Sequence, residues 1–176
     1  MRSMRQFIVV GLLGGATFLA PGASFGQPPK GAEPASVELA QLNLRIAEAR
    51  VVDSVKLGDA ELKPAKDEKL VVVTLRGTLD KPGRLTLVPA TFKAMYSWTV
   101  SASPPEEKVG KTEGKAVQLG DGSWGTTATN TYTAPKDVTF DIAISVPTQV
   151  TQFYVIWDLK KGLRAPVDLA KPGRPR

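Results

Sequence analysis

The sequence predicts an all-β protein, an antiparallel β-sandwich of about seven or eight strands. Three observations lead to this fold class. Short runs of β-branched and aromatic residues recur along the chain, and several of them alternate apolar with polar residues. Turn signals containing Pro, Gly or Asp-Gly separate the runs, and almost no segment has the apolar period of an amphipathic helix. Chains of this kind bury their apolar faces in two packed layers of antiparallel strands.

The first half of the chain contains three predicted strands. Residues 42–46 alternate apolar and polar side chains, although residues 37–41 just before them also fit one face of a helix. Residues 70–79 are the clearest strand, because they are apolar and β-branched. The segment 80–84 (DKPGR) then provides Pro and Gly for a type II turn, which predicts a returning strand at residues 85–88.

The middle of the chain is more polar but keeps the same pattern. Residues 92–100 form an aromatic strand candidate, and the Pro-rich residues 103–108 are predicted to be a loop. A short strand at residues 117–119 leads into the Asp121-Gly122 turn dipeptide. Residues 126–133 have strand composition with polar faces.

Two strands close the predicted domain. Residues 139–146 alternate regularly, and residues 153–157 (FYVIW) are apolar on both faces, which predicts a central strand covered on both sides. The residues on the buried faces of the clearest strands form the predicted core. They are Val71, Val73, Leu75, Phe140, Ile142, Ile144, Val155 and Trp157.

The N-terminus has the layout of a secretory signal peptide. Arg2 and Arg5 precede an apolar run at residues 7–20, which is too short for a membrane span. Small residues then favour cleavage before Gln27. The sequence thus predicts an exported protein, periplasmic or extracellular. It is divided into a signal peptide at 1–26, a disordered Pro/Gly leader at 27–36, a β-sandwich domain at 37–169 and a basic disordered tail at 170–176.

Two residue types are missing from the whole sequence, which contains neither Cys nor His. The lack of Cys excludes disulfides, thiolate metal ligands and cysteine nucleophiles. The lack of His excludes the Ser-His-Asp triad and the usual zinc ligand. These absences favour a non-catalytic role, and the sequence predicts no catalytic residue, no metal ligand and no cofactor.

Three segments resemble the immunoglobulin-like domains of exported bacterial proteins, in particular the telokin-like DUF4352 type. They are the strand at 69–75, the strand pair at 79–88 around its turn, and the segment 140–147 ending in Val-Pro, which residues 153–157 follow. The similarity extends over residues 42–157. It implies an exported immunoglobulin-like module of unknown function and identifies no catalytic residues.

Four aromatic residues are the candidate ligand-binding face. Tyr96, Trp98, Trp124 and Tyr132 lie in a stretch rich in Thr, Ser and Gly. Exposed Trp and Tyr rings stack on sugars or anchor protein partners. The alternative interpretation places Trp98 and Trp124 in the core between the sheets. A carbohydrate-binding module requires some of these rings to be coplanar on an exposed face.

An enzymatic function would have to rely on carboxylates as its catalytic groups. A hydrolase that uses two carboxylates needs a cleft holding a pair from Asp53, Asp121, Asp141 and Asp158. The segment 120–125 matches G-x-G-x-x-G, but the polar strand-like segment after it is not the helix that a dinucleotide site requires. The sequence therefore predicts a turn there and solvated carboxylates elsewhere.

The charge of the chain points to anionic surfaces as secondary partners. The sequence has 23 basic and 17 acidic residues, and basic residues concentrate near the C-terminus. The tail can contact an anionic cell-surface polymer or membrane headgroups, whereas no nucleic-acid-binding motif is present. The predicted function is to bind a protein or a polysaccharide of the cell envelope.

Overall fold

Twelve β-strands and two 3₁₀ turns make up residues 34–101 and 103–170, the part of the chain described by this computed structural model. The predicted all-β class is confirmed. In chain order the strands are β1 (Ser36–Val37), β2 (Arg45–Val52), β3 (Val55–Leu57), β4 (Ala60–Leu62), β5 (Glu68–Leu79), β6 (Gly83–Leu87), β7 (Lys93–Val100), β8 (Glu106–Leu119), β9 (Ala128–Tyr132), β10 (Lys136–Pro147), β11 (Gln152–Asp158) and β12 (Leu163–Asp168). Over these residues, no helix is long and apolar enough to cross a membrane.

Seven of the strands form one antiparallel sheet in the order β12-β11-β7-β8-β10-β5-β2. The long strand β8 belongs to both halves of this sheet. Its first part pairs with β7, up to Glu113 opposite Lys93, and its last part pairs with β10, where Leu119 lies opposite Phe140. A register shift at Ala143/Ile144 marks the change between the two halves. The two halves pack their inner faces together, which produces the sandwich.

The main core lies between these inner faces. All eight residues that the sequence predicts as core are buried, and they belong to a single apolar cluster. The ring of Phe92 packs against Phe140 at 5.7 Å between centroids. A three-stranded sheet in the order β1-β6-β9 adds Leu85 and Leu87 to the same cluster.

A second, smaller apolar cluster covers the outer face of the β5–β10–β8 region. Leu70, Val72 and Ala143 alternate along their strands with main-core residues, so they point to the opposite side of the sheet. Val55 packs on them from the β3–β4 hairpin, and Trp124 packs on them from the segment before β9. The residues of β5 are therefore covered on both faces along half of the strand.

The structure departs from the sequence prediction mainly in β2 and β8. The loop predicted at 103–108 is wrong from Glu106 onward, because residue 106 begins a 14-residue strand that pairs with β7. The first long strand starts at Arg45 rather than Leu42, after a 3₁₀ turn at Leu39–Gln41. Strands β1, β3, β4 and β12 are not predicted from the sequence, and β1 begins at Ser36, which the sequence assigns to the leader. The predicted signal peptide at 1–26, residues 27–33 of the leader and residues 171–176 of the tail lie outside the described residues.

Candidate functional site

The seven-stranded sheet ends in two edge strands, β2 and β12, which approach each other. In the part of the chain that the structure describes, no backbone hydrogen bond joins these two strands. A groove of about 930 Å³ runs along both edges and reaches β7. The two edges lie more than 100 residues apart in sequence and meet only because the sheet folds back on itself.

The inner wall of this edge groove is apolar. Ile46 and Ala49 line it from β2, and Phe153 and Val167 line it from β11 and β12. All four side chains also contact the main core. Because core packing holds these side chains in place, the wall of the groove is formed before any ligand arrives.

Exposed apolar side chains form the outer rim of the edge groove. Tyr154 is 46% exposed, Met95 is 37% exposed and Val109 is 73% exposed, and all three line the groove. Tyr154 and Met95 are direct cross-strand partners. Exposed large apolar residues are unremarkable one at a time, but several on one concave surface are typical of a binding site.

Charged groups stand around the same rim. The guanidinium of Arg164 lies over the Tyr154 ring, 5.1 Å from its centroid, in a cation–π contact. Gln152 Nε2 donates a hydrogen bond to Asp168 Oδ2 at 3.3 Å. Arg45 and Glu48 lie on the β2 side. The rim thus carries charges of both signs around an apolar interior, an arrangement that suits a mixed polar and apolar ligand.

Tyr96 and Trp98, two of the predicted aromatic residues, are neighbours on one face of β7. Their ring centroids are 5.7 Å apart and their planes are tilted by 44°. Tyr96 lines the groove, and its ring lies directly over Gly110 of β8, where a Cβ would overlap the ring. Burial, together with the charge of Glu68, raises the pKa of the Tyr96 phenol. Both side chains are half-buried against the main core, so they form a wall and not a flat platform.

The other two predicted aromatic residues lie elsewhere. Trp124 packs against the second apolar cluster on the outer side of the sheet. Tyr132 ends β9 opposite Gly83, and burial raises the pKa of its phenol. The four aromatic side chains therefore do not form one continuous surface, and only Tyr96 lines the groove.

The four candidate carboxylates lie on separate elements: Asp53 directly after β2, Asp121 between β8 and β9, Asp141 within β10 and Asp158 at the end of β11. Asp141 accepts a hydrogen bond of 2.6 Å from Thr74 Oγ1 and lies 3.5 Å from the Arg50 guanidinium. Asp158 faces Lys161 at 3.9 Å. Among residues 34–101 and 103–170, no group of three Asp, Glu, His or Cys side chains is placed to hold a metal ion.

The G-x-G-x-x-G segment at residues 120–125 forms the connection between β8 and β9. Gly120 adopts a positive φ of 60°. The residues that follow enter a strand and not a helix, so the helix N-terminus needed for a pyrophosphate is not present in this segment.

Sequence reasoning missed the residues that dominate the groove rim. Tyr154 lies inside the FYVIW run, which predicted a strand covered on both faces. The structure confirms burial for Phe153, Val155, Ile156 and Trp157, whereas Tyr154 points outward. The signal for β12 was present in the sequence, because Leu163, Ala165 and Val167 alternate with Arg164, Pro166 and Asp168, but the central proline concealed it.

Comparison with protein-family models, with curated proteins and with solved structures finds no match to this chain.

Proposed function

We propose that this protein is an exported, non-catalytic module of immunoglobulin-like type that binds an extended segment of a cell-envelope protein. The observation that carries the proposal is the groove of about 930 Å³ between the unpaired edges of β2 and β12. The signal-peptide pattern at residues 1–26 supports export. The resemblance to exported immunoglobulin-like domains supports the same setting.

An extended peptide fits this groove because edge strands present free backbone N–H and C=O groups. A peptide that pairs with such an edge gains main-chain hydrogen bonds, and its alternate side chains enter apolar pockets. Strand β12 has Pro166 at its centre and therefore lacks one backbone donor. Strand β2 contains neither Pro nor Gly. We therefore expect β2 to be the accepting edge.

A polysaccharide is the alternative ligand. Stacking on sugars favours exposed, coplanar rings, but Tyr96 and Trp98 are tilted by 44° and half-buried. The exposed ring of Tyr154 has one face occupied by Arg164. The aromatic geometry therefore supports a peptide more than a sugar chain.

The test is selection from a random peptide library on the purified domain, followed by affinity measurement with a selected peptide. Met95→Lys places a charge in the groove and should abolish binding. Val88→Lys is the matched control, because Val88 is similarly exposed, at 41%, and lies outside the groove. It should bind like the unmodified protein.

A separate measurement tests whether the peptide pairs with an edge strand through its backbone. N-methylation of alternate residues in the selected peptide should remove binding if the peptide pairs with an edge strand. Equal loss in Met95→Lys and Val88→Lys contradicts binding in the groove. Failure to select any peptide, together with a sugar-fraction response that Met95→Lys removes, favours the polysaccharide alternative.

A further inference from the structure

The outer face of the β2–β5–β10 region carries a row of charged residues. Some of them form ion pairs and others do not. On that face Arg50 lies 3.5 Å from Asp141 and 4.0 Å from Glu48, and Thr74 donates to the same aspartate. One step along the strands, Arg45 stands directly opposite Arg76. Both of these arginines are exposed, and neither has an ion-pair partner in the described part of the chain.

The Arg45–Arg76 arrangement is unfavourable on its own. Side chains directly opposite each other on one face of an antiparallel pair have Cβ atoms about 4.5–5.5 Å apart, and like charges there are destabilising. On the other side of Arg76, the direct partner is Thr139, which is also exposed. This step of the row thus presents two guanidinium groups and one hydroxyl. The carboxylates on the neighbouring steps of the same face contact other side chains: Asp141 and Glu48 contact Arg50, and Asp137 accepts a hydrogen bond from Thr78.

We propose that Arg45 and Arg76, with Thr139 beside them, bind the oxyanion groups of an acidic polysaccharide. A guanidinium presents several N–H donors in a planar fork that matches a carboxylate or a sulfate ester, and charge-assisted bonds of this type are strong. A bound oxyanion also removes the repulsion between the two arginines. The site goes beyond the proposed peptide groove: it shares Arg45 with the groove rim, whereas Arg76 and Thr139 lie outside the groove.

The shape of the surface favours a polymer over a small ion. Arg76 is exposed and lines neither the edge groove nor the smaller pocket beside Trp157, so its guanidinium is accessible to a large ligand. A chain with repeated acidic groups can make several weak contacts at once, which compensates for the open geometry. Without Arg2 and Arg5 of the predicted signal peptide, the sequence has 21 basic and 17 acidic residues, and this net charge of +4 attracts such a chain.

A membrane is the less suitable partner for this face. Surfaces that lie on membranes combine basic residues with apolar side chains that enter the acyl boundary. Six large apolar residues are exposed in the described part of the chain, and none of them points outward from β2, β5 or β10. The one on these strands, Val51, pairs with Val71 and shares its inner face.

The experiment measures the affinity of the full domain for polygalacturonate, dextran sulfate, neutral dextran and vesicles of phosphatidylglycerol. Arg76→Gln and the double variant R45Q/R76Q are compared with K56Q/K66Q, which changes the net charge equally on the β3–β4 hairpin and the loop after it. Arg76 is outside the groove, so peptide binding in Arg76→Gln separates this site from the groove.

We expect binding to one or both acidic polysaccharides and none to neutral dextran, and the preferred polymer identifies carboxylate or sulfate as the ligand group. R45Q/R76Q should lose at least about tenfold in affinity, whereas K56Q/K66Q should change by less than about twofold. The thermal midpoint of R45Q/R76Q should not fall, because its like-charge pair is gone. Equal losses in both double variants, unchanged affinity in R45Q/R76Q, or arginine-dependent binding to the vesicles alone would overturn the proposal.

Discussion

Gly77 is the position where one added methyl group tests the packing of the sandwich most directly. It lies in β5, and the carbonyl of Leu42 crosses immediately over it. A Cβ on residue 77 would overlap that carbonyl oxygen and would lie 2.8 Å from Leu44 Cδ2. The neighbouring amide of Thr78 donates a 3.1 Å hydrogen bond to the same carbonyl. Gly77→Ala therefore forces the segment before β2 away from β5.

The expected cost follows from three contributions. Overpacking against backbone costs about 1–3 kcal/mol, and loss of the Thr78–Leu42 hydrogen bond costs about 1 kcal/mol. The reduced freedom of alanine in the unfolded chain opposes these losses by about 0.4–1 kcal/mol. The net loss in free energy of unfolding is about 2 kcal/mol, and for a domain of this size the thermal midpoint should fall by about 5–10 °C.

The assay is urea unfolding of Gly77→Ala together with amide hydrogen exchange at Thr78. The control is Gly58→Asn, because residue 58 has open space around it and a φ of 60° that Asn tolerates. The control should stay within about 0.5 kcal/mol of the unmodified protein. An unchanged urea midpoint in Gly77→Ala, with Thr78 still protected from exchange, would refute the close approach of Leu42 to β5.

Two further predictions concern ionisation and processing. Burial first, and the charge of Glu68 second, raise the pKa of the Tyr96 phenol. The associated stabilisation is complete below the ordinary tyrosine pKa of about 10 and is lost as the pH rises through the folded value. Tyr96→Phe should therefore flatten the alkaline decline of stability in urea titrations at increasing pH, and an unchanged slope would contradict this. Expression of the full chain in an exporting host should yield a protein that begins at Gln27, by intact mass, and retention of residues 1–26 would show that cleavage before Gln27 is wrong.

The strands that sequence reasoning predicted well are those whose pattern comes from their own burial. In β10, Phe140, Ile142 and Ile144 face the core while their neighbours face the other way, so the period of two is visible without knowing the partner strand. The first half of β5 has a continuously apolar sequence because Leu70 and Val72, on the face opposite the main core, are covered by the second cluster. In both cases the local sequence contains the information that the fold uses.

Strand β8 was hidden because its first half buries very little. Residues 106–109 are exposed, and the strand continues through Gly110 and Gly114, which have weak strand propensity. Pairing with β7 along its whole length holds this segment extended. The local sequence does not predict a strand of this kind, because the strand is stabilised by backbone hydrogen bonds that it forms with another segment of the chain.

The groove could not be predicted from the sequence, for a related reason. Its two edges, Arg45–Val52 and Leu163–Asp168, lie at opposite ends of the domain and have no shared motif. The aromatic residues that composition singled out divide between two environments, because Tyr96, Trp98 and Tyr132 pack against the main core and Trp124 packs against the second cluster. What separates Tyr154 from the others is its outward position on β11 beside Met95, together with Arg164 over its ring. A residue of this kind is recognised by its cross-strand neighbours, so the register of a sheet is needed before its aromatic residues can be interpreted.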